Sequence, residues 1–242
     1  MKTMKNKFSY LLVVMALPAL QAVAQERVEY RTERSLPLKF GVKAGLNVAN
    51  ITIDNSGQVQ NKQAIASFNA GVYGDLALLP ILSIQPGLSV SGKGSKFVLG
   101  EEGSNNYTRV STRPVYVELP VNLLLKLPLI KRVKLFFGAG PYFAMGVGGR
   151  NKVDGKALGQ TFSSTSKIKY SSNSTQHSAT TYEGNFKLFD AGFNILGGIE
   201  ISRLTLNAGY GYGVVNTKPG TENGVNNKYQ NRVVTIQLGL LL

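Results

Sequence analysis

The chain has 242 residues, a formal net charge of +14, no cysteine, no tryptophan and a single histidine. The missing cysteines exclude a disulfide framework and thiolate metal sites, and one histidine leaves no imidazole cluster for zinc. Neither a metal nor a cofactor is expected, and the length suits one β domain.

The first residues set the compartment. Lys2, Lys5 and Lys7 precede an apolar run from Phe8 to Leu20, and Ala22-Val23-Ala24 supplies the small-x-small pattern of a signal peptidase site. An apolar run of about 13 residues falls short of the ~20 that a spanning helix needs. Residues 1–24 therefore read as a cleaved signal peptide, and residues 25–37, rich in Glu and Arg, as a solvated periplasmic arm. Removing the three lysines lowers the charge to +11. The remaining excess lies mostly in connecting stretches, so anionic partners such as lipopolysaccharide phosphates or acidic polymers are expected. An exported chain seldom meets nucleic acid, and no nucleic-acid-binding motif is present.

From residue 38 onward, side chains alternate with period two in eight segments: 38–50, 66–79, 82–98, 115–127, 133–148, 186–201, 204–214 and 234–242. Period two puts successive side chains on opposite faces of a strand. In the fourth segment Val115, Val117, Leu119, Val121, Leu123, Leu125 and Leu127 oppose Tyr116, Glu118, Pro120, Asn122 and Lys126. The seventh sets Leu204, Leu206, Ala208, Tyr210, Tyr212 and Val214 against Thr205, Asn207 and glycines, and the eighth sets Val234, Ile236, Leu238, Leu240 and Leu242 against Thr235, Gln237 and Gly239. Most segments are long enough for tilted spanning strands of ~9 to 11 residues, whereas soluble sandwich strands run nearer five or six. Glycines crowd the polar face, which suits a narrow barrel. The longest uncharged stretch, 76–92, contains Pro80 and Pro86 and cannot be a spanning helix. Only a closed barrel would then satisfy the backbone in lipid.

Connections after the second, fourth and sixth segments are brief, around 79–81, 128–132 and 202–203. Those after the first, third, fifth and seventh are long, near 51–65, 99–113, 149–185 and 216–229. Outer-membrane barrels have short periplasmic turns and long external loops. The reading is therefore an all-β, eight-stranded antiparallel up-and-down transmembrane β-barrel over residues 38–242, in the outer membrane with both termini periplasmic. Pro86, Pro120 and Pro141 fall inside segments, where a missing N–H places them at bulges. The stretch 149–185, cationic and rich in Ser and Thr, reads as a mobile external loop too polar to pack.

Several segments resemble the PorT-like outer-membrane β-barrel family, often described as porin-family proteins: FGVKAGLNVANIT at 40–52, LSIQPGLSVSGKGSK at 82–96, YVELPVNLLLKL at 116–127, FFGAGPYFAMGVGG at 136–149 and NAGYGYG at 207–213. The resemblance implies eight strands and a structural or interaction role, with an accessory part in secretion or envelope assembly as the favoured expectation. It supplies no catalytic residues. One departure is the end of the chain, Leu240-Leu241-Leu242, where such barrels commonly carry an aromatic residue.

Eight strands enclose a space that side chains fill, so a general diffusion pore is not expected. The polar face carries Lys39, Lys43, Asp75, Lys93, Glu118, Lys126, Lys134, Asp190 and Glu200. Charges shut inside a barrel need opposite partners. From this set Lys43, Asp75, Glu118, Lys126, Lys134, Asp190 and Glu200 are expected to form a lumenal polar network of structural character. Within it Lys126 and Lys134 are placed near Glu200, and Lys43 near Asp75 across the first hairpin. Three other functions compete. A lipid-modifying barrel enzyme would need His177, which has Ser174 and Ser178 nearby but no orienting carboxylate closer than Glu183, so no enzyme is expected. A lipocalin-like carrier would turn the apolar face inward. A surface adhesin or lipopolysaccharide-contacting barrel would use the long loops.

Overall fold

The computed structural model describes residues 38–54, 62–171, 185–217 and 228–242. Among these residues the regular elements are strands: β1 Leu38–Asp54, β2 Lys62–Gln63, β3 Ile65–Leu79, β4 Leu82–Gly92, β5 Ser95–Leu99, β6 Tyr107–Ile130, β7 Val133–Ala157, β8 Gln160–Lys167, β9 Lys169–Ser171, β10 Asn185–Lys187, β11 Phe189–Ile201, β12 Leu204–Gly213 and β13 Lys228–Leu241.

Eight strands, β1, β3, β4, β6, β7, β11, β12 and β13, pair antiparallel in succession. The ring closes where β13 returns to β1, from Gly41 opposite Leu241 to Asp54 opposite Lys228. Closure removes the free edges that a sheet otherwise exposes. Two-residue turns at Pro80–Ile81, Lys131–Arg132 and Ser202–Arg203 mark one rim, here the turn end. The other rim, the loop end, carries the longer connections.

Alternation decides which side is which. On β6 Tyr116, Asn122 and Leu124 are buried while Leu119, Val121, Leu123 and Leu125 are exposed on the outer wall. On β7 Phe136, Tyr142 and Ala144 point in, and Phe137, Phe143, Met145 and Val147 point out, Phe143 with 66% of its surface uncovered. The lipocalin arrangement is thereby overturned: the apolar residues form the outside and the charges the inside. Twelve residue steps from Val115 to Leu127, at about 3.3 Å each and a tilt near 40°, give an apolar wall roughly 30 Å high. Among the described residues no helix is long and apolar enough to cross a membrane, so strands do the crossing.

Four expectations are corrected. The third segment is two strands, because the chain breaks at Lys93-Gly94 between β4 and β5; Gly94 has φ +137°, and its missing side chain lets the Thr112 carbonyl approach within 2.1 Å of where a Cβ would stand. Much of the long connection 99–113, and of the described residues 149–171 in the connection 149–185, is sheet. β6 starts at Tyr107, β7 runs to Ala157, and β8 folds back through Leu158–Gly159. Their Val, Thr and Tyr residues favour a pleated surface without needing a core, which a search for apolar faces overlooks. Nor are the described residues 149–171 too polar to pack, since Ile168 is buried and Tyr170 packs against the cluster of buried Tyr116 and Tyr142. Finally, the prolines do not sit at bulges. Pairing lapses beside Pro86, Pro120 and Pro141 but resumes in the same register, Pro86 opposite Val121 and Pro120 opposite Tyr142. The register shifts fall elsewhere, at Ala77/Leu79, Val115/Tyr116 and Pro128/Ile130. A proline costs its own ladder bond, and a long, closed ladder holds register across that gap.

Candidate functional site

Inward-facing residues of all eight ring strands meet in the lumen, which is filled in layers. At the loop end Tyr170 folds inward. Its ring stacks edge-on to Tyr116 at 5.8 Å between centroids, and its hydroxyl donates to the Gly148 carbonyl at 2.8 Å. Gly146 makes this approach possible, because a Cβ there would stand 2.0 Å from the Tyr170 ring. Phe186, buried, packs beside Tyr170 at 6.5 Å.

Below this cap lies the first charge cluster. Lys93 is 2% exposed, and its Nζ sits 3.0 Å from both Glu118 Oε2 and Asp190 Oδ2. The rings of Tyr142 and Tyr116 flank the ammonium at 4.3 and 5.2 Å. Asp190 Oδ2 also accepts from Asn231 Nδ2 at 2.9 Å and from the Tyr142 hydroxyl at 3.3 Å. The lysine reaches this position because its backbone leaves the strand: Lys93 N donates to Pro114 O at 2.9 Å where β4 gives way to β5.

The middle layer is an amide network around a cavity of about 70 Å³. Asn47 Nδ2 donates to Ser91 Oγ at 3.0 Å and Asn69 Nδ2 to Asn47 Oδ1 at 2.7 Å, while Gln237 Nε2 donates to Asn69 Oδ1. Lys43 lines the same cavity and lies 5.8 Å from the Tyr73 ring centroid. Toward the turn end Leu124, Phe136 and Tyr73, all buried, constrict the space to about 10 Å³.

A second charge cluster follows. Lys126 pairs with Asp75 and, at 3.0 Å, with Glu200, whose other oxygen lies 3.1 Å from Lys134 Nζ. The cluster opens to a vestibule of about 210 Å³ at the turn end, which Lys39 also lines.

Lys126, Lys134 and Glu200 thus come together on neighbouring strands. The proposed contact between Lys43 and Asp75 is not formed. The β1–β3 register sets Lys43 opposite Gly71 and Asp75 opposite Lys39, so four residues of strand separate the two, and Lys126 takes Asp75 instead. The pivotal cation of the loop-end cluster, Lys93, carries no pairing in the sequence reading. It shares the inward parity of Ser89, Ser91 and Ser95, all buried, and that parity was the available signal. Lys43, Lys93, Lys126 and Lys134 stand against Asp75, Glu118, Asp190 and Glu200, and Lys39 adds a fifth, exposed cation at the turn-end vestibule. Among the described residues no group of three or more His, Cys, Asp or Glu could hold a metal ion. His177, with Ser174, Ser178 and Glu183, lies outside the described residues.

A closed ring with an apolar outer wall and a charged, filled interior defines a transmembrane β-barrel. The chain belongs to the outer membrane protein beta-barrel domain family, whose model matches residues 23–218. Comparison with curated proteins returns no match. Similar solved structures include Ail, the attachment invasion locus protein of Yersinia pestis, crystallised with the heparin analogue sucrose octasulfate. It is 10% identical, with 85% of this chain and 99% of that chain covered and a TM-score of 0.38. Neisserial surface protein A is 12% identical, with 83% and 96% covered and a TM-score of 0.39. The translocator domain of the autotransporter NalP from Neisseria meningitidis is 11% identical, with 97% and 99% covered and a TM-score of 0.32.

Proposed function

We propose that this protein is a non-conducting outer-membrane barrel that serves as an interaction platform, exported by residues 1–24 and inserted with its loop end outward and its turn end periplasmic. The observation that carries this reading is the blocked lumen. A solute entering at the loop end meets Tyr170 and Phe186, then the Lys93 cluster, then Leu124 and Phe136, then the Lys126 cluster. A path for solutes would require breaking buried ion pairs, which costs several kcal/mol. What remains available for function is the outer surface, the rims and the loops.

The partner class that best fits the PorT-like resemblance is a secretion or envelope-assembly machine reached through the periplasmic arm or the loops. Neither an enzymatic role nor a nucleic-acid role has support in the described residues. The test of the closed lumen is electrical and osmotic: the full chain, refolded into planar bilayers and into liposomes, should give no steady conductance and no sugar-driven swelling. Stable ohmic channels from the heat-modifiable folded form would refute it. Cross-linking and pull-down from isolated outer membranes address the partner, with recovery of secretion or assembly components expected.

A second reading, lipopolysaccharide contact, is favoured by the sheet that rises beyond the ring. There β5, β6, β7 and β8 present Lys96, Arg109, Arg113, Arg150, Lys152 and Lys167 against Glu102 and Asp154.

A further inference from the structure

The outer face of β6 changes character along one uninterrupted strand. From Leu127 to Val115 its odd-numbered side chains are apolar, and the next on that face are Arg113, Ser111 and Arg109. Register sets Arg113 opposite Arg150 on β7, and Arg150 opposite Lys167 on β8. Registered partners share a face, so three exposed cations stand in one row across three strands. Like charges directly opposite one another destabilise a sheet. Anions brought to the row relieve it.

The described residues do not supply them. Further from the barrel the cations have acidic partners: Arg109 pairs with Glu102 and, at 3.1 Å, with Asp154; Lys96 lies 3.6 Å from Glu102 and Lys152 lies 3.7 Å from Asp154. Arg113, Arg150 and Lys167 have no acidic partner among the described residues. A groove of about 870 Å³ in the outer surface is lined by Leu46, Phe68 and Val147 together with all three cations.

We propose that this row and groove form a site for one phosphorylated glycolipid of the lipid A type, its phosphates on Arg113, Arg150 and Lys167 and acyl chain in the groove. Guanidinium groups take phosphate oxygens through paired, charge-assisted hydrogen bonds, which a row of two arginines and a lysine provides for more than one phosphate. The choice of a lipid over a soluble polyanion rests on continuity. The cations begin at the residue where the apolar wall ends, and the groove they line is apolar, which a soluble polymer would leave unused. The inference rests on the outward orientation of the loop end proposed above and gives the lipopolysaccharide reading its residues.

The experiment is native mass spectrometry of the full chain refolded in detergent and titrated with bis-phosphorylated lipid A, and separately with lipid A stripped of phosphate. The parent should hold the phosphorylated form about ten-fold or more tightly than Arg113→Gln/Arg150→Gln/Lys167→Gln, the scale of one or two charge-assisted contacts. The phosphate-free form should bind parent and variant alike. Lys131→Gln/Arg132→Gln/Arg203→Gln at the turn end should behave as the parent, and Arg113→Lys/Arg150→Lys, which keeps the charge and gives up the paired hydrogen bonds, should bind between the parent and the row variant. Arg150→Gln alone, in the middle of the row, carries the same test at smaller amplitude should the triple variant not fold. Equal affinity of parent and row variant, or an equal loss in the turn-end variant, overturns the site. Preference for soluble heparin over lipid A, lost in the row variant, overturns the lipid assignment. Orientation is read independently by labelling Leu158→Cys in intact cells. Failure to label with binding retained would sink the orientation and leave the site standing.

Discussion

Replacing Lys93 with methionine keeps length and removes the one cation between Glu118 and Asp190. Both carboxylates lie 3.0 Å from its Nζ, and Asp190 and the Lys93 side chain are almost fully buried. Methionine fills the space between the Tyr142 and Tyr116 rings, so little of the expected loss comes from packing. What remains is two acidic groups without the cation that paired with both. Removing one partner of a buried ion pair costs about 3–5 kcal/mol, and here a single removal strands two. Lys93→Met should therefore unfold at markedly lower urea than the parent in phospholipid vesicles. The readout is the fraction of heat-modifiable band on unboiled gels, since the chain has no tryptophan for fluorescence. Lys93→Met/Glu118→Gln/Asp190→Asn should recover most of the loss, because a neutralised cluster keeps its hydrogen bonds and sheds its repulsion. Lys152→Met, which removes an exposed cation 3.7 Å from Asp154, should stay within about 0.5 kcal/mol of the parent. A Lys93→Met barrel within about 1 kcal/mol of the parent would refute the reasoning, since a mere surface pair loses no more than that.

Other outcomes follow from the same geometry. Phe136→Ala should lose about 3 kcal/mol or more by emptying the lumenal constriction, and Phe137→Ala, one residue along but on the outer wall, should lose much less in the same urea assay. Leu158, at the tip of the β7–β8 hairpin with 91% of its surface exposed, should as Leu158→Cys react with a membrane-impermeant maleimide on intact cells, and cleanly, because the chain has no other cysteine. Glu102 is held below the ordinary glutamate range by its hydrogen bond from Arg109. A depressed carboxyl gives its full contribution above its unfolded pKa and loses it as pH falls through the depressed value. Protection of amides at the outer ends of β5 and β6, relative to their intrinsic exchange at each pH, should therefore fall on acidification in the parent and not in Glu102→Gln. His177→Ala should leave the lipid A profile of whole cells unchanged.

The ring was legible because its determinants are local. Alternation at Val115 to Leu127 or Val234 to Leu242 names both a strand and its faces, and turn brevity fixes which strands are neighbours. Closure then leaves little freedom for the rest. Contacts across the lumen were legible only where register could be counted from a short turn, as for Lys126, Lys134 and Glu200. Asp75 escaped, because the first connection is long and gives no origin from which to count. Lys93 escaped for another reason: Glu118 lies on the neighbouring β6, but Asp190 comes from β11 across the lumen, and nothing in a linear pattern reports a distance across a barrel. The sheet beyond the ring was missed because its strands need no buried side. Arg150 to Lys156 shows no apolar face, yet it pairs on both flanks, with β6 and with β8.

That extension ties the two halves of the functional reading together. A spanning strand need not turn back where the lipid ends, and β6 and β7 continue for several residues with parity intact on the outer face of β6. The same face that presents Leu119 and Val121 to acyl chains presents Arg113 and Arg109 one register step at a time to whatever lies above. A lumenal position cannot serve this purpose, since the cations there are matched against four acids and sealed by Tyr170 and Phe186. Among the described residues, cations without acidic partners stand beside an apolar groove only outside the ring. The sealed interior holds the wall rigid while the wall does the binding, and the two roles separate by experiment: Lys93→Met should weaken folding without altering lipid A preference in the molecules that fold, whereas the row variant should fold as the parent and lose that preference. A row variant that lost stability to the extent of Lys93→Met would mean that the three cations belong to the fold and not to a ligand.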